Sequence, residues 1–343
     1  MLDLLAAASR GPLPGYNYPL LAGLIALIVS WILTPWVRNL AIKKGAMDDP
    51  KRDERRIHKE PLPRWGGLAI YAGIVVSLAT ILPFAFPTTA AYPFYLIGMV
   101  LIGGVLVVAG ALDDLYQYSA KIQLLLLLGA GVAIQFFYQP IGGTVAQIQI
   151  KTIGNPFGEG FIDLAWAAIP VTAIYIFVVT KTMDTIDGVD GLAAGMATIS
   201  ATTLAIIGVY GEQPRVAIIA AAIAGAALGF LKHNYNPAKI IMGTGGAYIL
   251  GFMLACLSIV GALKTAAAIA LFLPVFVFGV PIFDAFFVIT RRILSGQPIT
   301  QPDKRHLHHA LLGKGFSQRQ TVWVLYFAAA TLSALLIWFI VKR

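Results

Sequence analysis

The sequence AIYIFVVTKTMDTIDGVDGLAAGMATI, residues 173–199, joins two apolar runs through a short acidic segment. Three carboxylates, of Asp184, Asp187 and Asp190, recur at a spacing of three residues, and Lys181 precedes them. Residues three apart lie roughly along one side of a helix, with a drift that grows at each turn. The segment therefore predicts a polar cluster at a membrane boundary, between one spanning helix and the next.

The composition of the whole chain agrees with a membrane setting. Of its 343 residues, 58% are hydrophobic and only 12% are charged, whereas soluble domains carry about 25% charged residues. The apolar residues form repeated runs of about 20 residues, each long enough to cross a hydrocarbon core of about 30 Å. We therefore expect an all-α polytopic membrane protein, with residues 1–343 forming one integral membrane domain. The net charge of +9 does not indicate nucleic acid as a partner.

The apolar runs predict about ten transmembrane helices. They cover residues 17–40, 66–86, 93–112, 120–138, 162–180, 191–210, 214–231, 246–263, 267–290 and 321–341. With the N-terminus outside, segments 41–65 and 291–320 become cytoplasmic loops. Most of the 25 lysines and arginines then face the cytoplasm, in agreement with the positive-inside rule.

The polar chemistry is also expected on the cytoplasmic face, because all five histidines fall on that side. The longest extracytoplasmic loop, residues 139–161, shows no comparable chemistry. Its segments VAQIQI (145–150) and KTIG (151–154) are compatible with a small hairpin. We therefore place the active site at the cytoplasmic face.

Two adjacent carboxylates, Asp113 and Asp114, end the third predicted span in the sequence GALDDLYQYSAK. Adjacent carboxylates repel each other, and charge is costly close to the bilayer. Acids at the C-terminal end of a helix also oppose its dipole. An ordinary polar helix end is one interpretation, but a bound cation or a shared proton relieves these costs and is favoured. Lys121, at the start of the fourth span, could reach a phosphate or these acids.

Two further cytoplasmic segments offer cationic groups and backbone donors. Loop 41–65 is either a solvated, orientation-setting loop beside anionic lipid headgroups or a contact for an anionic lipid substrate through Arg56, His58, Lys59 or Arg64. Asn234 lies in a polar segment just before the Gly-rich start of the eighth span. Such a start exposes backbone N–H groups suited to phosphate, although packing of small residues between membrane helices is an equal alternative.

The last cytoplasmic loop is a dense set of cationic donors, Arg305, His306, His308 and His309. Three histidines suggest zinc, but H-x-H-H without cysteine is not a usual zinc pattern. An anion-binding loop fits better, because neutral histidine donates a hydrogen bond and protonated histidine adds charge. Asp284, in the ninth predicted span, is as compatible with a buried pairing or hinge role as with a substrate contact.

Carboxylates and cationic groups together are what a magnesium–diphosphate site requires. Mg²⁺ is commonly held by one or two carboxylates plus substrate phosphates, and Mn²⁺ is an alternative ion. Cationic side chains neutralise the remaining charge. In a membrane protein, the acceptor is then expected to be a lipid phosphate at the interface.

Five segments carry a resemblance to a known family. They are IHKEPLPRWGG (57–67), LDD (112–114), DGVDGLAAG (187–195), NYNPAKIIMG (234–243) and DKRHLHH (303–309). With them, the chain resembles the polyprenyl-phosphate N-acetylhexosamine-1-phosphate transferase superfamily over nearly its whole length. The resemblance implies transfer of GlcNAc-1-phosphate from UDP-GlcNAc to undecaprenyl or another polyprenyl phosphate. UMP is released, and a lipid-linked glycan is started.

The segments point to the undecaprenyl-phosphate GlcNAc-1-phosphate transferase branch, which serves O-antigen, teichoic acid or related glycans. The branch that uses UDP-MurNAc-pentapeptide typically has three consecutive histidines after a Pro-Leu pair, which this chain lacks. The resemblance also implies a multi-pass protein of the bacterial inner (plasma) membrane. A homodimer remains open, because many relatives are dimers.

The resemblance assigns roles by position. Asp113 and Asp114 match an acidic pair, one of which acts as base or orients the lipid phosphate, and Asp187 is the third expected catalytic residue. The expected substrate-binding residues are His58, Arg64, Lys121, Lys181, Asp190, Asn234, Arg305, His306, His308 and His309. The expected metal ligands are Asp113, Asp114 and Asp184.

Two positions depart from the family pattern. Where the family has N-A-x-N, this chain has the segment 181–184, KTMD; where the family has M-G-D, with a metal-ligand aspartate, it has Thr244. Hard Mg²⁺ asks for oxygen ligands and charge rather than for one backbone position. We therefore hypothesise that Asp184 supplies the missing ligand, while Lys181 contacts a phosphate or pairs with Asp184.

Two other functions remain open. A transporter or flippase of an anionic or lipid-linked substrate also has charges at the membrane and broken helices. Against it, the polar residues gather on one side and not at the midplane. A catalytically altered homologue would account for the replacements at Lys181 and Thr244.

Overall fold

The chain forms a bundle of membrane-spanning helices in a computed structural model. The structure describes residues 15–50, 60–86, 92–141, 144–155, 160–262 and 306–342, with 279, 282–284, 287, 290 and 292. The predicted ninth span, 267–290, and parts of loops 41–65 and 291–320 therefore lie largely outside the described residues.

Helices account for most of the described chain. They are α1 (Asn17–Lys44), α2 (Gly66–Ala85), α3 (Phe94–Tyr116), α4 (Ala120–Ala133), α5 (Ala168–Ile186), α6 (Leu192–Tyr210), α7 (Pro214–Asn234), α8 (Gly243–Ala262), α9 (Leu307–Gly313) and α10 (Gln318–Val341). All except α4 and α9 are long and apolar enough to cross a membrane. The described residues thus confirm the prediction of an all-α polytopic membrane protein, while its orientation stays a prediction.

The predicted fourth span is shorter than expected. Residues 120–138 were predicted to cross the membrane, but the apolar helix covers Ala120–Phe136, with a final 3₁₀ turn at Ile134–Phe136. A second 3₁₀ turn, Ala165–Ala167, leads into α5. Elsewhere, the described helix ends agree with the predicted spans to within a few residues, apart from the first, third and fifth spans, whose helices continue to Lys44, Tyr116 and Ile186.

Local signals fix several helix ends. α1 ends at Gly45, whose φ of 73° lets its N–H return to the carbonyls of Ala41 and Ile42. α10 begins with a capping box, in which the Ser317 side chain accepts from the Gln320 N–H and the Gln320 side chain accepts from the Ser317 N–H. These caps satisfy backbone groups that a helix end would otherwise leave unpaired.

Six short strands form three two-stranded antiparallel ladders. They are β1 (Met47–Asp48) with β2 (Leu62–Pro63), β3 (Gln139–Ile141) with β4 (Thr144–Ala146), and β5 (Thr152–Gly154) with β6 (Phe161–Asp163). The predicted hairpin between 145–150 and 151–154 was wrong in its pairing. Each segment instead pairs with residues outside the two of them, because a connection with no intervening turn cannot reverse the chain between adjacent strands.

α8 is the buried centre of the bundle. Of its apolar stretch, 89% of the residues are buried, against 22% for α1 and for α10. It packs mainly against α3 and α5, and also against α2, α6 and α7. The first turn of α8 therefore lies between the ends of α3 and α5.

Glycines allow α8 to approach α2 and α3 to backbone contact. A Cβ at Gly67 would lie 2.5 Å from Gly246 Cα, and a Cβ at Gly110 would lie 2.8 Å from the carbonyl carbon of Thr244. No side chain fits at such distances, and close approach through small residues is a common way for membrane helices to pack.

The same contacts gather the ends of several helices. The N–H of Gly66 donates to Ile241 O (3.2 Å), and that of Gly67 donates to Met242 O (3.0 Å). The β2–α2 junction therefore lies against the segment that enters α8. We call this side of the bundle, which contains the start of α2, the end of α3 and the start of α8, the polar end.

We expect Gly110→Ala to lower the thermal unfolding temperature of the detergent-purified protein. The added methyl group meets the α8 backbone, and overpacking of this kind costs about 1–3 kcal/mol. Gly129→Ala in α4 is the matched control, since a Cβ there meets nothing within 4 Å. Fluorescence-detected size-exclusion chromatography after heating measures both; equal unfolding temperatures would contradict the close contact of α3 and α8.

Candidate active site

Arg64 joins two buried carboxylates at the polar end. Its Nη1 lies 2.9 Å from Asp114 Oδ1, and its Nη2 lies 2.6 Å from Asp48 Oδ1. The β1–β2 ladder sets this contact, because Asp48 stands opposite Leu62, two residues before Arg64. Burial opposes the positive charge of Arg64, but Asp114 and Asp48 outweigh it and raise the pKa of the guanidinium above its ordinary value.

The start of α8 also binds Asp114. The backbone N–H of Thr244 donates to Asp114 Oδ1 over 3.1 Å. Gly243 has a φ of 73°, which L side chains rarely adopt, and a Cβ on Gly243 would collide with Asp114 Oδ2. The Gly-rich entry that the sequence suggested for phosphate thus already holds a carboxylate of the protein itself.

A chain of polar contacts connects α3 to α5 through α4. Gln123 Nε2 lies 3.1 Å from Asp113 Oδ2, and Gln123 Oε1 accepts from Lys181 Nζ over 2.8 Å. Lys181 Nζ also lies 2.6 Å from Asp184 Oδ2. Lys181 therefore pairs with Asp184, which was one of the two roles suggested for it.

Asp187 follows α5 and stands beside these acids. Burial raises the pKa of its carboxyl well above the ordinary value, the negative charge of Asp184 raises it further, and Arg64 opposes the shift. Asp114 is also close enough to interact with Asp187 electrostatically. The end of α5 therefore faces the end of α3 across a group of carboxylates.

Asp190 and Asn234 hold the loop between α7 and α8. Asp190 Oδ2 accepts from Asn236 Nδ2 (2.9 Å) and from the N–H of Ala238 (3.1 Å). Asn234 accepts from the N–H of Gly191 and donates to Ile240 O, both over 3.0 Å. The polar atoms of both side chains thus form hydrogen bonds that stabilise this loop. Their expected contact with substrate stays a prediction.

Three histidines cluster at the start of α9, beside Asp284. His306 Nδ1 lies 3.0 Å from Asp284 Oδ2, and the N–H of Leu307 donates to Asp284 Oδ1 over 2.7 Å. The ring of His308 stacks on His306 and tilts against His309, with centroid distances of 5.8 Å and 4.4 Å. Asp284 therefore has the buried pairing role that the sequence allowed.

His308 connects this cluster to the acidic segment. A Cβ on Gly188 would lie 3.1 Å from His308 Nε2, so the imidazole covers the backbone between Asp187 and Asp190. Burial, with a smaller contribution from His309, lowers the pKa of His308 to about 3. His308 is therefore a neutral imidazole at physiological pH, which can exchange hydrogen bonds but supplies no charge.

One predicted residue is not brought into this arrangement, and two others cannot be placed in it. Lys121 is exposed at the start of α4, and it forms no ion pair with the acids among the residues that the structure describes. Gln123, on the same helix, contacts Asp113 instead. His58 and Arg305 lie outside the described residues. Their expected contacts with substrate stay predictions.

Among the described residues, the site holds more acidic than basic side chains. Within the described ranges, five carboxylates (Asp48, Asp113, Asp114, Asp184 and Asp187) surround two cations, Arg64 and Lys181. No group of three or more Asp, Glu, His or Cys side chains is arranged there as a metal cage. Asp114 Oδ2 is buried and has no hydrogen-bond partner among the described atoms.

This donor set fits Mg²⁺. The ion usually takes one or two carboxylates and keeps its other positions for water and substrate phosphates, so it needs no complete protein cage. The excess of carboxylates over cations and the unpartnered oxygen of Asp114 both favour an added cation.

Sequence reasoning missed three polar residues of the site. Asp48 belongs there only because of a ladder two residues long, and Gln123 because α4 packs on α5. Tyr248 is completely buried in α8, and its hydroxyl interacts electrostatically with nearby acids. The available signal for Tyr248 was its position one helical turn after Thr244, on the same face of α8.

Comparison with known proteins identifies relatives along most of the chain. The family model for glycosyl transferase family 4 matches residues 96–262. A "Probable undecaprenyl-phosphate N-acetylglucosaminyl 1-phosphate transferase" of Bacillus subtilis is 37% identical over 305 residues, covering 89% of this chain and 80% of the relative.

More distant relatives have similar names. A "Decaprenyl-phosphate N-acetylglucosaminephosphotransferase" of Mycolicibacterium smegmatis is 36% identical and covers 89% of this chain and 78% of its own length. An "Undecaprenyl-phosphate alpha-N-acetylglucosaminyl 1-phosphate transferase" of Escherichia coli is 25% identical, and the match covers 88% of this chain and 78% of the relative. The chain therefore belongs to glycosyl transferase family 4, in the undecaprenyl-phosphate GlcNAc-1-phosphate transferase branch of the polyprenyl-phosphate N-acetylhexosamine-1-phosphate transferase superfamily.

Proposed function

We propose that this protein transfers GlcNAc-1-phosphate from UDP-GlcNAc to undecaprenyl phosphate or another polyprenyl phosphate. The observation that carries the proposal is the group of carboxylates at the polar end, in a chain whose relatives bear the names of such transferases. Those names favour a transferase over a transporter or flippase, and GlcNAc over UDP-MurNAc-pentapeptide.

The proposed reaction is a displacement at phosphorus. An oxygen of the lipid phosphate forms a new bond to the β-phosphorus of UDP-GlcNAc. The bond from that phosphorus to the bridging oxygen breaks, and UMP leaves with the oxygen. A lipid phosphate is largely ionised at neutral pH, so the nucleophile needs little activation by a base.

The residues of the chain then order the reacting groups. Arg64 and the start of α8 hold Asp114 in one orientation, and Gln123 holds Asp113. His308, which is neutral and lies over Gly188, can donate a hydrogen bond to the donor nucleotide without adding charge. Side chains held by such contacts are preorganised, and preorganisation is a major source of transition-state stabilisation.

Mg²⁺, or Mn²⁺ in its place, is part of the proposal. Asp113, Asp114 and Asp184 would hold the ion, which would neutralise charge that develops on the transferred phosphoryl group. The charge excess of the site supports this assignment, and so does the buried, unpartnered Asp114 Oδ2.

The structure also supports the hypothesis that Asp184 supplies the metal-ligand carboxylate that is missing at the position of Thr244. Thr244 contacts Asp114 through its N–H, and Asp184 acts electrostatically on Asp187 in the same cluster. The two positions therefore border one site, so a carboxylate lost on α8 can be replaced from α5.

The placement in the membrane follows from the distribution of charge. Positively charged residues are enriched on cytoplasmic loops, so we place the polar end at the cytoplasmic side of the bacterial inner (plasma) membrane. The donor nucleotide is then reached from the cytoplasm and the lipid phosphate from the inner leaflet.

The activity is tested by UMP release. Purified protein with UDP-GlcNAc, undecaprenyl phosphate and Mg²⁺ should release UMP, and EDTA should stop the release until Mg²⁺ or Mn²⁺ is added back. UDP-GalNAc and UDP-MurNAc-pentapeptide should give little UMP. Asp114→Asn is the background control and should lower turnover by about 10²-fold, as expected for loss of a preorganised charge. No UMP from any donor, with transport of a labelled substrate into vesicles, would replace the proposal by a transporter.

The ligand exchange is tested by a pair of variants. Asp184→Asn should abolish Mg²⁺-dependent turnover, because the oxygen that remains is neutral. Asp184→Asn with Thr244→Asp should recover part of it, because the carboxylate returns from α8. UMP release at several Mg²⁺ concentrations measures both variants. A fully active Asp184→Asn single variant would exclude the exchange.

A further inference from the structure

The hydroxyl of Tyr248 is a buried polar group to which the proposed mechanism gives no role. The side chain is 0% exposed, and its Oη has no hydrogen-bond partner among the residues that the structure describes. Buried hydroxyls are normally paired, because an unpaired one loses its bonds to water without replacement. A fold that keeps such a group at its centre needs another reason to do so.

Two close contacts of α8 place Tyr248 between α3 and α5. Gly245 meets the backbone of α3 at Gly110. On the other side, a Cβ at Gly251 would lie 2.5 Å from Thr180 Cα in α5. Tyr248 stands three residues from each of these glycines, so its ring lies where the two neighbouring helices converge on α8.

The acids of the site follow one turn after those contacts. Asp113 is three residues after Gly110, and Asp184 is four residues after Thr180. The Tyr248 hydroxyl accordingly lies close enough to Asp184, Asp113 and Asp114 to interact with them electrostatically. A hydroxyl that faces carboxylates acts as a hydrogen-bond donor, because ionised carboxylates can only accept.

Asp184 has room for such a donor. Its Oδ2 accepts from Lys181 on its own helix, and α8 packs against α5. Thr244 and Tyr248 are one turn apart on α8. Thr244 already donates its backbone N–H to Asp114, and Tyr248 can donate its hydroxyl to Asp184.

We propose that Tyr248 is a positioning residue of the active site, whose hydroxyl donates a hydrogen bond to Asp184 when a divalent cation is bound. The proposal rests on the proposed function and on the role of Asp184 as a ligand. Lys181 and Tyr248 then fix the carboxylate from two sides, and the cation meets a carboxylate of defined orientation. Orienting contacts to a ligand carboxylate commonly change metal affinity by about 10–100-fold.

The test variant is Tyr248→Phe, which keeps the ring and removes only the hydroxyl. Its thermal unfolding temperature without cation should equal or exceed that of the wild type, because no existing hydrogen bond is lost. The stabilisation produced by Mn²⁺ alone, measured by thermal shift across a concentration series, should require about tenfold more Mn²⁺. The turnover number for UMP release should fall by about tenfold, with the KM for undecaprenyl phosphate unchanged.

Tyr175→Phe is the matched control. Tyr175 Oη lies 2.7 Å from Ser258 Oγ in the bundle interior, outside the site. Its loss should lower the unfolding temperature and leave the Mn²⁺ dependence and turnover unchanged. Tyr248→Phe should thus weaken Mn²⁺ binding without loss of stability, whereas Tyr175→Phe should lower stability without a change in Mn²⁺ binding.

The outcomes separate this proposal from the proposed function. Wild-type UMP release with an unchanged Mn²⁺ dependence in Tyr248→Phe would overturn the role of Tyr248 and leave the transferase standing. Without UMP release by the wild type, the Mn²⁺ thermal shift still decides: a tenfold change supports the role of Tyr248, and an equal shift or no shift in either protein overturns it. A lower unfolding temperature in Tyr248→Phe with unchanged Mn²⁺ dependence would show a structural role only.

Discussion

The carboxylate of Asp114 is the contact on which the polar end depends. It lies at the end of α3, accepts from the guanidinium that precedes α2, and accepts from the first turn of α8. Removing a charge from water is costly unless hydrogen bonds and an opposite charge compensate for it. Three segments that are distant in sequence must therefore meet at this side chain, and the glycines of α2, α3 and α8 permit that meeting.

The other acids are held by different means. Asp113 is bound by a neutral amide, Asp184 by a lysine one turn before it, and Asp187 lies beside both without a cation of its own among the described residues. The negative charge is thus only partly neutralised within the described chain. Such a site favours an added cation, and in the proposed function an anionic diphosphate enters with that cation as its partner.

The sequence predicted the helical membrane fold and most of the acids, because apolar runs and clustered carboxylates are local patterns. The pairing of Lys181 with Asp184 could also be anticipated, since residues three apart in a helix face each other. The Asp48–Arg64 contact could not, because a ladder of two residues leaves no pattern in the sequence. Tyr248 escaped notice because it lies within an apolar run, where a tyrosine is ordinarily a packing residue. The hairpin predicted between 145–150 and 151–154 was mispaired because no turn separates the two segments.

The shortness of α4 has a consequence for the surrounding lipid. With its 3₁₀ turn it covers Ala120–Phe136, or about 25 Å along its axis, less than the hydrocarbon thickness of about 30 Å. A short span is accommodated by local thinning of the bilayer or by long flanking side chains that reach the interface, and exposed Lys121 is such a side chain. Where the bilayer thins to match α4, the headgroup layer lies closer to Gln123 and Asp113 than it does beside the longer helices.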